Sequence, residues 1–284
     1  MEDNIVEDKL VIEARGLGLD YYNHKIFQFL SDLESFYEFL SNSCFDKCNG
    51  LLLTGKLSID SSIYSSIQGS MESIKTLVYM GRLNDAFTLV RKYYDAVISD
   101  IYKSILMKEE ESAFCVNDIE IKDSWDKSIV RAWTYAQEHL YDLPKKNSKS
   151  RTYNTVKDKI KSIDKNLYTI IENIKNKREK NVCNDNVHYN SWSNFVLNNN
   201  YKLDNKIVAL DDLFKNLQIV LCEHFSYIYT LHCEYFSSSD YIENLEYCME
   251  PEYNSLHLIA PIIQEIFEKY IKTYNKDLSD YIRL

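Results

Sequence analysis

Residues 61–108 read SSIYSSIQGSMESIKTLVYMGRLNDAFTLVRKYYDAVISDIYKSILMK, and this stretch decides the fold class. Apolar residues recur every three or four positions on both sides of Gly81, which is the spacing of one face of an α-helix. Gly81 stands where a helix C-cap belongs, and Asp60 or Ser61 is the expected N-cap of the first helix. The stretch predicts two long amphipathic helices that run antiparallel, the second from about Leu83 to Lys108. The apolar positions are Ile63, Ile67, Met71, Ile74, Leu77 and Val78 before the glycine, and Leu83, Phe87, Val90, Tyr94, Val97, Ile101 and Ile105 after it.

Helical spacing extends over most of the remaining chain, and Pro144 with the polar residues after it marks a linker. The predicted fold class is therefore all-α. We expect a helical bundle at residues 61–235, with residues 1–60 and the helices of residues 236–284 added to it in a single domain. The further helices are expected at about Lys25–Asn42, Ser124–His139, Thr152–Ile163, Lys165–His188, Asp204–Phe236, Asp240–Cys248 and Leu256–Tyr274.

The glycines exclude two classes of nucleotide enzyme. All of them fall at or before Gly81, and none takes the G-x-G-x-x-G spacing; residues 50–56 (GLLLTGK) match G-x-x-x-x-G-K, but Leu57 stands where a P-loop has Ser or Thr. Those spacings let the backbone approach a phosphate closely. P-loop and dinucleotide-binding enzymes are therefore excluded, and we expect no cofactor.

The formal charge of −10 at pH 7 means that any contact with nucleic acid must be local. The seven cysteines have irregular spacing, and the acidic N-terminus lacks the apolar core of a signal peptide, so we expect a protein of the reducing cytoplasm. The most apolar stretch, Leu217–Leu231, contains Glu223 and His224 and is shorter than the roughly 20 residues of a membrane-spanning helix. We expect no membrane span. The cysteines and histidines also lack the paired spacing of a metal site, so no metal is expected.

A polar segment, NVCNDNVHYN at residues 181–190, follows a helical pattern. At about 100° per residue, Asn181, Asn184, Asp185 and His188 share one helix face. A histidine there can act as a general acid or base near neutral pH, and a neighbouring carboxylate can orient its ring. The alternative interpretation is a solvated helix end, where all of these residue types are ordinary.

Arg91 and Asp95 form a second polar feature within the strongest apolar helix. They are four residues apart, which is the spacing of an ion pair on one helix face. On an exposed face such a pair contributes only about 0.3–0.5 kcal/mol, whereas at the edge of a core it is a partly desolvated pair that is costly unless something uses it. The sequence leaves both interpretations open.

Residues 144–180 are a basic segment in an acidic chain, with a net charge of +8. The segment leads directly into the polar stripe formed by Asn181, Asn184, Asp185 and His188. A basic surface in this place could bind the phosphate backbone of RNA and position it at His188. The alternative is a solvated loop and helix, or one that pairs with the acidic remainder. The candidate RNA-binding residues are Lys157, Lys159, Lys161, Lys165 and Lys177.

The stretch GRLNDAFTLVRKYYDAVISDIY at residues 81–102, followed by NDNVHYNS at residues 184–191, resembles bacterial proteins related to the HEPN superfamily (higher eukaryotes and prokaryotes nucleotide-binding domains). The resemblance covers roughly residues 61–235. It implies a helical bundle, often dimeric, and many members are metal-independent RNases of toxin, abortive-infection and phage-defence systems. Their site is an Arg, four to six residues and a His, and Arg91 with Asp95 matches an Arg-x-x-x-Glu-like pair on an earlier helix.

The resemblance implies that His188 activates a ribose 2′-hydroxyl, that Asp185 orients the imidazole and that Asn184 binds phosphate. At the spacing where an arginine is expected, this chain has Asn181, Val182 and Cys183 instead. Arg91 or Arg178 is then the candidate for stabilising the charge on the phosphate.

The sequence is therefore consistent with two functions, and a homodimer is also expected. The first is a metal-independent RNA endonuclease of a defence system, with RNA as its partner. The second is a non-catalytic helical protein that binds a partner or nucleotide through the polar face. The homodimer is implied by the resemblance and by the predicted helix Asp204–Phe236, which is apolar on more than one face.

Overall fold

The structure is a computed structural model. It describes residues 16–48, 54–109, 153–175, 183–188, 190–199, 205–241, 247, 258–282 and 284. Within these ranges the regular elements are helices, and the β structure amounts to one isolated antiparallel bridge between Ser237 and Ile259. The predicted all-α fold class is confirmed.

The helices are numbered in chain order, and two 3₁₀ segments and a π-helical segment continue from three of them. The α-helices are α1 (Leu19–Tyr22), α2 (Ile26–Cys48), α3 (Thr54–Tyr79), α4 (Leu83–Glu109), α5 (Tyr153–Ile163), α6 (Lys165–Ile174), α7 (183–187), α8 (Trp192–Phe195), α9 (Asn205–His232), α10 (Pro261–Ile266) and α11 (Lys276–Ile282). The 3₁₀ segments are Val196–Asn198 and Cys233–Phe236, and the π-helix is Phe267–Lys272.

Two of the predicted helix starts differ from the structure. The N-cap predicted at Asp60 or Ser61 is wrong, because α3 begins at Thr54 and Asp60 lies inside the helix with no exposed surface. The helix predicted from Leu256 is also wrong at its start, because Ile259 forms a β-bridge and α10 begins only at Pro261. Proline suits this first helical position, since a backbone N–H there has no acceptor within the helix.

Other predicted elements differ in extent. The helix predicted over Lys165–His188 ends at Ile174, and helical structure is described again at residues 183–187. Helix α11 was not predicted. The helix predicted at Ser124–His139 and most of that at Asp240–Cys248 lie outside the described residues.

Gly81 ends helix α3 as the spacing predicted. Its φ of 72° is left-handed, which glycine adopts without steric cost. The Arg82 N–H donates to Leu77 O at 2.8 Å and the Gly81 N–H to Val78 O at 2.9 Å, the two bonds of a Schellman cap. The cap satisfies carbonyls at the end of α3 directly before α4 begins at Leu83.

Replacing Gly81 with alanine is expected to lower the free energy of unfolding by about 1–2 kcal/mol, since a left-handed conformation is strained for any residue with a Cβ. The added Cβ would also lie 2.8 Å from Leu17 Cδ1 and 3.3 Å from Lys206 Nζ. Urea unfolding measures the change. Gly69→Ala is the matched control, because a Cβ at this α3 position meets nothing within 4 Å. Alanine there should raise stability by up to about 1 kcal/mol. Equal effects of the two substitutions would contradict the prediction.

The chain divides into two compact units. Unit 1 comprises Met1–Ser35, Gln68–Asp95 and Ile174–Leu221, and unit 2 comprises Phe36–Ile67, Ala96–Asn173 and Cys222–Leu284. The core of unit 1 is built from buried apolar faces of α2, α3, α4 and α9. Its buried residues include Phe29, Leu30, Leu33, Met71, Ile74, Val78, Phe87, Val90, Leu210, Leu213 and Leu217.

Unit 2 has an apolar core that encloses a charged network. Lys103 is 2% exposed, and its Nζ donates to Asp100 Oδ1 at 2.7 Å and also to Asp60. The Tyr235 hydroxyl donates to Asp60 Oδ2 at 2.5 Å, and His224 Nε2 donates to Asp100 Oδ2 at 3.0 Å. These side chains are all buried, so each charge depends on the others for its stabilisation.

None of the helices in the described ranges combines the length and the apolar composition that crossing a membrane requires.

Candidate functional site

Helix α7 in unit 1 is held by a buried asparagine of α4. The Asn84 Nδ2 group donates to Asn186 O at 2.9 Å, to Asn186 Oδ1 at 3.1 Å and to Asn194 O at 3.3 Å. Asn84 and Asn186 are 2% and 3% exposed. Buried amides are stable only when they are hydrogen-bonded, so this contact gives α7 a defined position.

The segment after α8 also holds the start of α4. Asn198 Oδ1 accepts from the backbone N–H groups of Asn84 at 3.0 Å and Asp85 at 3.4 Å, as an N-cap does, although it lies far away in sequence. Arg82 donates to Asn198 O. Sequence spacing could not reveal this cap, because capping signals are sought next to the helix.

Lys206, on α9, also binds the segment of residues 190–199. It is 2% exposed, and its Nζ donates to Gly81 O at 3.1 Å and to Asn199 O. Burial, together with the nearby Arg82 charge, lowers the pKa of Lys206 to about 8. The lysine joins the Gly81 turn to the end of the 190–199 segment.

The predicted polar stripe lies on the outer side of α7. Asn184 and His188 are exposed and Asp185 is half-buried, whereas Cys183 and Asn186 are buried. Asp185 Oδ1 accepts from Asn190 Nδ2 at 2.9 Å. Within the described part of the chain, the His188 ring has no hydrogen-bond or ion-pair partner, and Asp185 contacts Asn190 rather than His188.

Two predicted members of the site, Asn181 and Arg178, lie outside the described residues.

Arg91 and Asp95 form the ion pair that their spacing predicted. Arg91 Nη1 lies 2.5 Å from Asp95 Oδ1, and the two side chains are 33% and 57% exposed, so this is a surface pair of small energy. The guanidinium also lies over the Tyr94 ring, 5.4 Å from its centroid. Burial raises the pKa of the Cys183 thiol to about 12, and the Arg91 charge acts in the opposite direction. The Arg91 charge thus acts on the Cys183 thiol at the start of α7 while the guanidinium is paired with Asp95.

A cleft of about 200 Å³ opens in unit 1 beside α7. Asp185 and Asp212 supply its charged groups, and no lysine, arginine or histidine of the described ranges lines it. The Asp212 carboxylate has no hydrogen-bond or ion-pair partner among the described residues. The lining residues are Phe87, Asp185, Asn186, Ser193, Asn194, Leu197, Asn205, Val208, Ala209 and Asp212.

Asp212 and Asn205 were missed by the sequence reasoning. They are seven residues apart on α9 and therefore share a helix face with Val208 and Ala209. Two polar residues at this spacing were the available signal.

The predicted RNA-binding lysines belong mainly to unit 2. Lys157 and Lys159 lie on α5, and Lys161 and Lys165 are exposed. The Lys161 ammonium lies 5.9 Å from the centroid of the Tyr168 ring. Lys177 lies outside the described residues. The role of these lysines in binding RNA stays a prediction.

The described residues contain no group of three or more His, Cys, Asp and Glu side chains placed to hold a metal ion. Fold and cleft together define an all-α protein with an acidic, partly apolar cleft that is lined by Asp185 and Asn186 of α7. Comparison of the chain with family models, with curated proteins and with solved structures found no match.

Proposed function

We propose that the protein is an RNA endonuclease that needs no metal ion and uses His188 as its acid–base group. One observation carries the proposal: the His188 imidazole is exposed and has no partner among the described residues, although the helix that ends beside it is anchored through the buried Asn84–Asn186 contact. A ring without a partner beside an anchored helix is available to a substrate, and histidine is the side chain that enzymes use most often as a general acid or base.

In the proposed reaction, His188 takes the proton of a ribose 2′-hydroxyl, and the 2′-oxygen attacks the adjacent phosphorus. The P–O5′ bond breaks, the leaving 5′-oxygen takes a proton from solvent water, and His188 returns its proton to solvent. The products are a 2′,3′-cyclic phosphate and a 5′-hydroxyl. Arg91 would stabilise the negative charge that develops on the phosphate. Its surface pair with Asp95 is weak, so exchanging that partner for a phosphate costs little.

The proposal includes two elements that rest on the sequence. The lysines of α5 and α6 would bind the RNA backbone, and the protein would act as a homodimer in bacterial defence, as the resemblance implies. Asn184, exposed on the same helix as His188, would contact the phosphate.

His188→Ala is expected to reduce RNA cleavage at least about 100-fold, because an acid–base group contributes about 10²–10⁴ to the rate. The assay incubates total RNA with the protein in EDTA and detects fragments that end in 2′,3′-cyclic phosphate. RNA affinity should stay close to that of the wild type, since the imidazole acts mainly on the transition state.

Asn184→Ala is the matched control for this assay, because it removes a neighbouring exposed side chain without removing the acid–base group. It should weaken RNA binding and retain cleavage at saturating RNA. Equal cleavage by wild type and His188→Ala would overturn the proposal.

The second candidate is a non-catalytic interaction protein, and a specific observation favours it. Trp192 and Phe195 are 76% and 57% exposed, and their rings stack with centroids 5.7 Å apart on the surface of α8. Exposed paired aromatics are typical of surfaces that bind partners. If the wild-type protein shows neither cleavage nor salt-dependent RNA affinity, this function replaces the first.

A further inference from the structure

The unit 1 cleft offers hydrogen-bond acceptors that the described residues leave without donors. Asp212 has no side-chain partner there, and Asp185 uses Oδ1 for Asn190 while no described donor contacts its Oδ2. Carboxylates in a confined site favour ligands that donate hydrogen bonds. They disfavour a phosphate, because like charges repel.

The walls of the cleft add a second constraint. Phe87, Leu197 and Ala209 are buried apolar residues that line it, and the exposed Val208 lies at its surface. A cleft of about 200 Å³ that combines apolar walls with a few polar groups fits a small planar ring with hydrogen-bond donors along one edge.

We propose that this cleft receives an unpaired guanine of single-stranded RNA, with the Asp212 carboxylate accepting from guanine N1–H and N2–H₂; this inference rests on the proposed RNA-directed function. Guanine presents two adjacent donors on its Watson–Crick edge, which match the two oxygens of a carboxylate. Adenine and cytosine each present one amino group beside an acceptor, and uracil presents a single N–H between two acceptors. Single-stranded RNA exposes these edges, whereas base pairing covers them.

Asp211 provides a matched control on the same helix. Its Oδ1 lies 3.3 Å from His24 Nε2 and 4.0 Å from Lys25 Nζ, and it does not line the cleft. Asp212→Asn and Asp211→Asn therefore make the same chemical change at adjacent positions, and only the first alters the cleft.

The test measures binding of 2′-O-methyl heptanucleotides, which cannot be cleaved through the 2′-oxygen, by fluorescence anisotropy. The probes carry guanine, inosine, adenine or uracil at the centre of a uridine sequence. The wild-type protein should bind the guanine probe about tenfold or more tightly than the uracil probe, the discrimination expected of a bidentate contact. Inosine lacks the N2 amino group and should lose most of this preference.

Asp212→Asn should abolish the preference for guanine, and Asp211→Asn should retain it. Asp185→Asn provides a second cleft variant and should reduce the preference. No preference in the wild type, or an unchanged preference in Asp212→Asn, would overturn the inference. Binding of an arginine-containing peptide through Asp212, without RNA binding, would also overturn it and would assign the cleft to a protein partner.

The His188→Ala variant separates this inference from the proposed function. It should keep the guanine preference of the wild type. Cleavage without base preference would leave the nuclease proposal standing and overturn the guanine site. A guanine preference in a wild-type protein that cleaves nothing would support the cleft and overturn the nuclease.

Discussion

Replacing Lys103 with methionine is expected to destabilise the protein by about 3–5 kcal/mol, the effect of removing one partner from a buried ion pair. Lys103 is the cation between Asp60 and Asp100, and the three side chains are at most 3% exposed. Without it, two buried carboxylates would face each other with only neutral donors and His224 nearby. Urea unfolding followed by circular dichroism measures the loss.

Lys92→Met is the control for this substitution, because Lys92 is an exposed lysine of the same helix. It should change stability by less than about 0.5 kcal/mol. Adding Asp60→Asn to Lys103→Met should recover part of the loss, since one unpaired charge is then removed. A small effect of Lys103→Met, or a strictly additive double variant, would contradict a network in which each charge depends on the others.

The position of Asp60 shows why the helical spacing predicted the fold class but not all helix ends. An aspartate before an apolar run is a common N-cap, and nothing local distinguishes it from one that continues a helix. The partners of Asp60 are Lys103 and Tyr235, which lie 43 and 175 residues away in sequence. Gly81 could be predicted, because its role depends on its own backbone conformation and on adjacent carbonyls.

The candidate site could likewise be predicted only in those features that depend on local sequence. The exposed side of α7 follows from the local spacing of Asn184, Asp185 and His188. The anchor of that helix does not, because Asn84 lies 102 residues before its partner Asn186. Sequence spacing marks which side chains share a face, whereas the contacts that hold that face depend on tertiary structure.

We expect the protein to lose stability in acid, and we expect the Asp100→Asn variant to lose less stability than the wild type. Burial alone would raise the pKa of Asp100, but the Lys103 charge and the His224 hydrogen bond outweigh it and hold the pKa well below its usual range. A carboxyl whose folded-state pKa is lowered stabilises the protein above its unfolded pKa of about 3.9, and this stabilisation is lost as the pH falls below that value. Asp100 should thus contribute fully at neutral pH and progressively less below about pH 4.

The measurement is the free energy of unfolding in urea between about pH 2 and pH 7, since this window spans the titration of Asp100 in the unfolded chain. Asp100→Asn should be less stable than the wild type at neutral pH. Its acid slope should be smaller by up to about 1.4 kcal/mol per pH unit, the value for one proton taken up on unfolding. Glu268→Gln serves as the control, because Glu268 is exposed and its pair with Lys272 contributes little. An acid slope in Asp100→Asn as steep as that of the wild type would show that Asp100 does not take up this proton, because only a carboxyl protonated to different extents in the folded and unfolded states changes the slope.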